Sequence, residues 1–239
     1  MIKFYQNNWH GIKFSSFGKN NLKNIADINF YNKFYNKFFL KFKYFDDLSN
    51  DWLNYKSEVA KIIQKKFGDK NNILSIGCGI GIVEKYIVEN NQNINLTVIE
   101  PSKNACKWIE NFRNIDIKYG YFPEILNQKQ NFDIAYVNVV DYIFNKYQYH
   151  NFLKSIFDYG IRELIIVSAS YYEPNFILHT KEIIRDILIK FDLYNSNIQF
   201  WGYKRSVNEQ FAAISKAGFK KMYLKYKSNN TIVIKGIAK

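Results

Sequence analysis

The sequence predicts an α/β fold: a doubly wound, mainly parallel sheet of seven strands that ends in an antiparallel hairpin, preceded by an N-terminal helical extension. Three observations predict it. From Ile73 onward, short apolar and β-branched runs alternate with amphipathic stretches; near the C-terminal end two strand-like runs follow one another; and in residues 30–42 aromatic side chains recur every four positions. Strands covered by helices on both faces read as continuous apolar runs, whereas paired strands across a polar turn read as a hairpin.

Composition allows such a fold and excludes others. At 239 residues, 47% hydrophobic and 18% aromatic, the chain has room for one large domain, or a domain with an extension, and is too apolar to remain disordered. A formal charge of +13 points to acidic partners such as phosphates, nucleic acid or an anionic membrane surface. Lys, Asn, Ile, Phe and Tyr are all abundant and share AT-rich codons, so that indication is mild. Cys78 and Cys106 cannot build a disulfide framework, and three histidines give no zinc spacing. No metal is therefore expected. The first thirty residues lack the apolar core of a secretory signal, and no run reaches the ~18 apolar residues that would span a bilayer. A cytoplasmic protein is the expectation, with no membrane contact.

The elements follow in order. Residues 1–50 form an aromatic and basic arm in which Phe30, Phe34, Phe38 and Phe42 mark one helix face, beside Tyr31, Tyr35 and Phe39, with Lys33, Lys37 and Lys41 on a neighbouring stripe. Packing as a cover over a site is the ordinary reading of that face; a membrane-surface helix is the alternative. Residues 51–239 form the main domain. A helix over 51–67 ends before Gly68 and leads into the strand 73–77, then a helix 82–91, the strand 95–100 and a helix 102–113. The alternation continues with strands 115–120 and 132–139, a helix 145–158, the strand 163–170 and a helix 176–191. A helix 207–217 stops at Gly218, and the runs 219–227 and 231–239 pair across Asn229 and Asn230.

The sharpest motif is Ile73-Leu74-Ser75-Ile76-Gly77-Cys78-Gly79-Ile80-Gly81, a strand running into a glycine turn and then a helix. Glycines at 77, 79 and 81 admit backbone conformations closed to other residues and let a ligand approach the main chain. Their spacing is neither the G-x-G-x-x-G of dinucleotide enzymes nor a P-loop. Cys78 between them reads as a small buried filler. Glu100 closes the next strand, where a carboxylate can accept two hydrogen bonds from ribose hydroxyls. Ligands of open α/β sheets bind beyond the strands' carboxyl ends, so turn and carboxylate converge on one crevice.

Together these features resemble the Rossmann-like class I S-adenosylmethionine-dependent methyltransferases over approximately residues 55–239. The resemblance implies S-adenosyl-L-methionine as cofactor, with Gly77, Cys78, Gly79 and Gly81 around its methionine part, Glu100 on its ribose, and Pro101 and Ser102 beside its adenine. It further implies that the strand ending at Asn138 faces the reacting methyl, and that Ala217-Gly218-Phe219 is the turn before the last two strands. One departure stands out: where the family has a small residue and Asp at the end of strand three, this chain reads Tyr119-Gly120-Tyr121-Phe122-Pro123, which leaves the adenine to backbone groups, a stacked ring such as Tyr121, or another residue.

Methyl transfer from a sulfonium is an in-line displacement that needs alignment and a nucleophile relieved of its proton. In the loop after strand four, Asp141 is the first candidate base, with a helix N-cap as its other reading, and Tyr142 is a candidate acceptor contact. His150 and His179 are further base candidates, because imidazole titrates near neutrality. Glu173, and Arg205 with Lys204, would meet the acceptor. No N-P-P-Y loop or Pro-Cys pair follows strand four, so small molecules move ahead of nucleic acids. The expected activity is methylation of a hydroxyl on a small polar acceptor: a sugar, a sugar nucleotide or a phosphorylated metabolite. The alternatives are a small-molecule N-methyltransferase, an RNA methyltransferase and a non-catalytic cofactor-binding protein.

Overall fold

The computed structural model describes all residues except 19–21, 127–129, 175, 195–196, 229–230 and 239, and all side chains of those residues except 178 and 179. The N-terminal segment contains β1 (Ile2–Gln6), the short pair β2 (Asn8–Trp9) and β3 (Ile12–Lys13), then α1 (Ile28–Lys41) and α2 (Asn50–Gln64). Next come β4 (Asn72–Ile76), α3 (Ile82–Asn90), β5 (Asn95–Glu100), β6 (Ile115–Tyr119), β7 (Ile134–Asn138), α4 (Lys146–Tyr159), β8 (Glu163–Ser168) and α5 (Phe176–Lys190). The chain continues through β9 (Gln199–Lys204), α6 (Val207–Ala217), β10 (Lys221–Lys227) and β11 (Ile232–Ile237).

Seven strands form one sheet in the order β10-β11-β8-β7-β4-β5-β6. The five strands from β8 to β6 run parallel, and β11 pairs antiparallel with both β8 and β10, as the sequence predicts. Side chains alternate between two apolar layers, as the pleat requires. Ile73, Leu96, Val98, Ile134 and Tyr136 pack with α1, α2 and α3. Leu74, Ile76, Ala135, Val137, Leu164 and Ile166 pack with α4 and α6. In register, Ile76 lies opposite both Ile99 and Val137, so the carboxyl ends of β4, β5 and β7 open together where the chain order reverses. That is where an open α/β sheet binds its ligand.

Helix α1 begins at Asp27, whose side chain accepts the Phe30 N–H. Its aromatic face is turned inward: Phe34 and Phe38 are fully buried, while Lys33, Lys37 and Lys41 are exposed. One expectation needs correction, and one pairing lies outside the sequence reading. Residues 102–113 form no helix; their backbone closes through successive three-residue turns (Ala105 N–H to Ser102, Ile109 N–H to Cys106, Phe112 N–H to Ile109), which fold Ala105, Cys106 and Ile109 into the core. In addition, β9 pairs antiparallel with β1, Ile2 opposite Lys204, and no local pattern announces a partner some two hundred residues away. The expected Asn229-Asn230 turn lies outside the described residues.

Candidate active site

A cavity of about 1030 Å³ opens beyond the ends of β4, β5 and β7. The glycine turn forms its floor. Gly77 has φ 77°, and a Cβ there would stand 2.1 Å from Val140 Cγ2, so the position tolerates no side chain. Gly79 borders the cavity, 3.3 Å from the Tyr35 hydroxyl when a Cβ is built. Gly81 (φ 76°) serves packing: its missing Cβ leaves the place that three Ile109 side-chain atoms fill at 2.7–2.8 Å. The expected ligand contact at Gly81 is thus replaced by close approach of the 102–113 segment to the start of α3.

Glu100 links the turn to β5. Its Oε2 accepts the Gly79 N–H at 3.0 Å and its Oε1 accepts the Ser102 N–H at 3.0 Å. Each oxygen keeps a further lone pair, so two hydroxyl donors can still be accommodated. Burial pushes the carboxyl up to about 7, partly offset by the two N–H donors. At the end of β7, Asn138 lines the cavity with its Oδ1 buried and without a hydrogen-bond partner. A buried acceptor of this kind calls for a donor from outside the protein. Ser102 turns away from the expected adenine side, since its hydroxyl donates to Asn32 of α1 at 2.6 Å; Pro101 and the exposed Tyr121 do line the cavity. Cys78 also lines it, with its Sγ 3.5 Å from that of Cys106; burial raises its thiol pKa well above the usual range.

Three wall residues, Tyr31, Tyr35 and Lys56, carry no individual role in the sequence reading. Tyr31 and Tyr35, one turn apart on α1, reach the cavity, and the Tyr31 hydroxyl lies 2.8 Å from that of Tyr142. Tyr142 in turn stacks on Trp201 at 6.0 Å and 6°. Burial raises the Tyr142 hydroxyl to about 12 and holds Tyr31 and Tyr35 well above their ordinary value, so all three stay protonated. The last is Lys56 on α2, whose ammonium lies 5.3 Å from the rings of Trp52 and Tyr55. Burial lowers it to about 8, with the charge of Glu84 opposing that shift. The every-fourth-residue aromatic pattern places Tyr31 and Tyr35 on one face; nothing in the sequence marks Lys56.

Several expected residues lie elsewhere. Asp141 is fully buried behind the cavity wall, where its Oδ2 accepts from Ser168 Oγ and Gln210 Nε2, each at 2.7 Å. It tethers β8 and α6 and is not among the cavity's lining residues. Arg205 is spent inside the protein as well, donating to the carbonyls of Asp141 (2.6 Å) and Phe144 and lying 4.2 Å from the Tyr149 ring. Glu173 is exposed and paired with Lys227. His150, on α4, is not among the cavity's lining residues, and the His179 side chain lies outside the described residues. Tyr142 and Lys204 do line the cavity, as does the neighbouring pair Glu182 and Arg185 from α5.

No family profile and no curated protein matches this sequence. Solved structures do. Human N-acetylserotonin methyltransferase in complex with SAM is similar with a TM-score of 0.53 and 12% identity, over 77% of this chain and 56% of that one. The mitomycin 7-O-methyltransferase MmcR gives 0.56 and 14%, over 77% and 54%. PigF with SAH gives 0.53 and 16%, over 79% and 59%. The chain has the class I methyltransferase fold. It spans little more than half the length of these neighbours.

Proposed function

We propose that this protein is an S-adenosylmethionine-dependent methyltransferase acting on a hydroxyl of a small acceptor, and that the acceptor carries an aromatic ring. The observation that carries the reading is Glu100, a buried carboxylate bonded to the Gly79 N–H on the floor of a cavity walled by the Tyr142–Trp201 stack. Glu100 would hold the ribose hydroxyls, and Lys56, with no carboxylate within ion-pair distance among the described residues, would take the methionine carboxylate. Asn138 Oδ1 would accept from an ammonium or hydroxyl donor, and Tyr121 would face the adenine. The cofactor supplies a methyl electrophile; the chain's own part is to align the acceptor oxygen and keep water out.

An aromatic acceptor is favoured over the phosphorylated one suggested by the sequence. Arg205 is consumed by backbone carbonyls, Lys3 pairs with Asp186, and Arg185 pairs with Glu182. Lys204 does face the cavity, its ammonium 5.3 Å from the Phe4 ring, but beside it stands a set of rings, Phe4, Tyr31, Tyr142 and Trp201. A phenol also asks less of a base than an alcohol; one hydroxyl of the Tyr31–Tyr142 pair donates to the other, which leaves the second hydroxyl of that pair and Tyr35, both held protonated, to orient the acceptor as hydrogen-bond donors.

Calorimetric titration with S-adenosylhomocysteine tests the first half of the reading. Binding to the unmodified protein, weakened by about tenfold or more in Glu100→Ala, is the expected result for loss of charge-assisted hydrogen bonds worth about 1.5–3 kcal/mol. A labelled-methyl screen across phenols, sugars, phosphorylated metabolites and RNA tests the second half. Incorporation confined to sugars or RNA would overturn the aromatic assignment.

A further inference from the structure

Helix α5 presents its apolar side to solvent. With each residue turning about 100° around the axis, Phe176, Ile183, Ile184 and Ile187 fall on one side, with Phe191 just past the helix end. Their exposures are 84%, 61%, 52%, 50% and 65%, and Leu193 beyond them is 71% exposed. The opposite side carries Glu182, Arg185, Asp186 and Ile189. Asp186 accepts from Lys3 Nζ at 2.9 Å, Glu182 pairs with Arg185, the Arg185 guanidinium lies 4.8 Å from the Tyr5 ring, and Ile189 is buried. Polar contacts thus fasten the helix to β1 and the cavity wall, leaving a row of large apolar side chains, with Thr180 between Phe176 and the isoleucines, without cover. Such patches mark interaction surfaces.

Charge decides what covers it. Lys181 and Lys190 stand at the two edges of the apolar side, both exposed, while the helix's own acids, Glu182 and Asp186, are turned inward and engaged. A second copy of the chain would set lysine edges against lysine edges, with a charge of +13 on each protomer. Anionic lipid headgroups pair with both edges, and the acyl boundary takes Phe and Ile between them. At 15 residues α5 is too short to cross a bilayer, and no described helix is long and apolar enough to do so. We propose that α5 docks the protein on an anionic membrane surface, lying in its plane with Phe176, Ile183, Ile184, Ile187 and Phe191 inserted. The Lys-flanked helix that suggests a membrane in the sequence is α1, but there the central phenylalanines are buried; the exposed face belongs to α5.

Co-sedimentation with vesicles tests the proposal. The protein is expected to pellet with equimolar phosphatidylcholine and phosphatidylglycerol, to bind pure phosphatidylcholine far less, and to be released as salt rises. Ile183→Ser with Ile187→Ser should lower partitioning about tenfold or more, and Lys181→Ser with Lys190→Ser should remove the preference for anionic lipid. All these positions are on the surface, so unchanged melting curves will show that the variants fold. Phe176→Trp adds an independent reading, a blue-shifted emission on adding anionic vesicles. Binding that ignores the isoleucine variant, or no binding at all, overturns the proposal. So does a solution dimer that the isoleucine variant dissociates, which would make a second copy the cover.

Discussion

Both oxygens of Glu100 already accept backbone N–H groups, so the carboxylate is positioned before any ligand arrives. Burial keeps its proton on up to about pH 7, whereas an unfolded Glu loses it near 4.5. Raising the pH from 4.5 to 7 therefore costs the folded protein stability, and ribose hydroxyls, which bond best to the ionised form, recover that cost on binding. Lys56 works in the opposite sense: its folded-state pKa is lowered to about 8, so the cation that would hold a carboxylate is lost above that pH. Affinity for S-adenosylhomocysteine should accordingly rise about tenfold from pH 6 to 8 as Glu100 ionises, and fall again above 8. In calorimetry across that range Glu100→Gln should flatten the acid limb and Lys56→Met the alkaline limb. Lys56→Met should also spare binding of methylthioadenosine, which lacks the amino-acid end; equal losses for both ligands would remove the assignment. Asp141→Ala, by contrast, should act on stability alone. Breaking its buried contacts to Ser168 and Gln210 should cost about 3 kcal/mol and lower the melting temperature by roughly 6–12 °C, with donor affinity nearly unchanged. Glu100 and Asn138 were legible because strand ends are legible. Asp141 and Arg205 were not, because an inward turn and an outward loop share the same residue types, and the carbonyls that hold Arg205 leave no mark in a sequence.

Among the elements, strands buried on both faces read clearly, since Ile73, Leu74, Val98 and Val137 cannot face water from either side of the sheet. The segment 102–113 reads as a helix and folds as turns because of what lies beneath it. Ile109 must fill the space that Gly81 leaves, and a chain drawn down to that contact closes in three-residue steps. Gly81→Ala should therefore meet both a strained left-handed backbone and the Ile109 side chain, at a cost of about 2–4 kcal/mol. Trimming the opposing side chain should relieve only the second part. In a double-mutant cycle, Gly81→Ala with Ile109→Ala should cost less than the sum of the single changes, whereas simple additivity would show that the contact is not the constraint. The pairing of β1 with β9 escaped the sequence for a different reason: a two-stranded ribbon closed across most of the chain has no periodicity of its own beyond that of each short strand.

At the scale of the molecule, the cavity is built from parts that lie far apart in sequence: Phe4 from β1, Tyr31 and Tyr35 from α1, Lys56 from α2, Glu100 from β5 and Trp201 from β9. Tyr35 packs in the same apolar layer as Phe34, Phe38 and the core of the sheet, so the wall of the site and the core of the fold are one continuous structure. A ligand that joins these elements binds only the folded chain and must raise its melting temperature by mass action. At a hundred times its dissociation constant the gain is about 2.7 kcal/mol, which for a chain of this length corresponds to roughly 5–10 °C. S-adenosylhomocysteine should produce that shift at pH 7.5. Methylthioadenosine should give less, lacking the group that Lys56 would hold, and in Lys56→Met the difference between the two ligands should shrink. Differential scanning fluorimetry distinguishes the outcomes. A shift with neither ligand would remove the cofactor from the cavity altogether, while equal shifts in the unmodified protein would keep the cofactor there and free Lys56 for the acceptor.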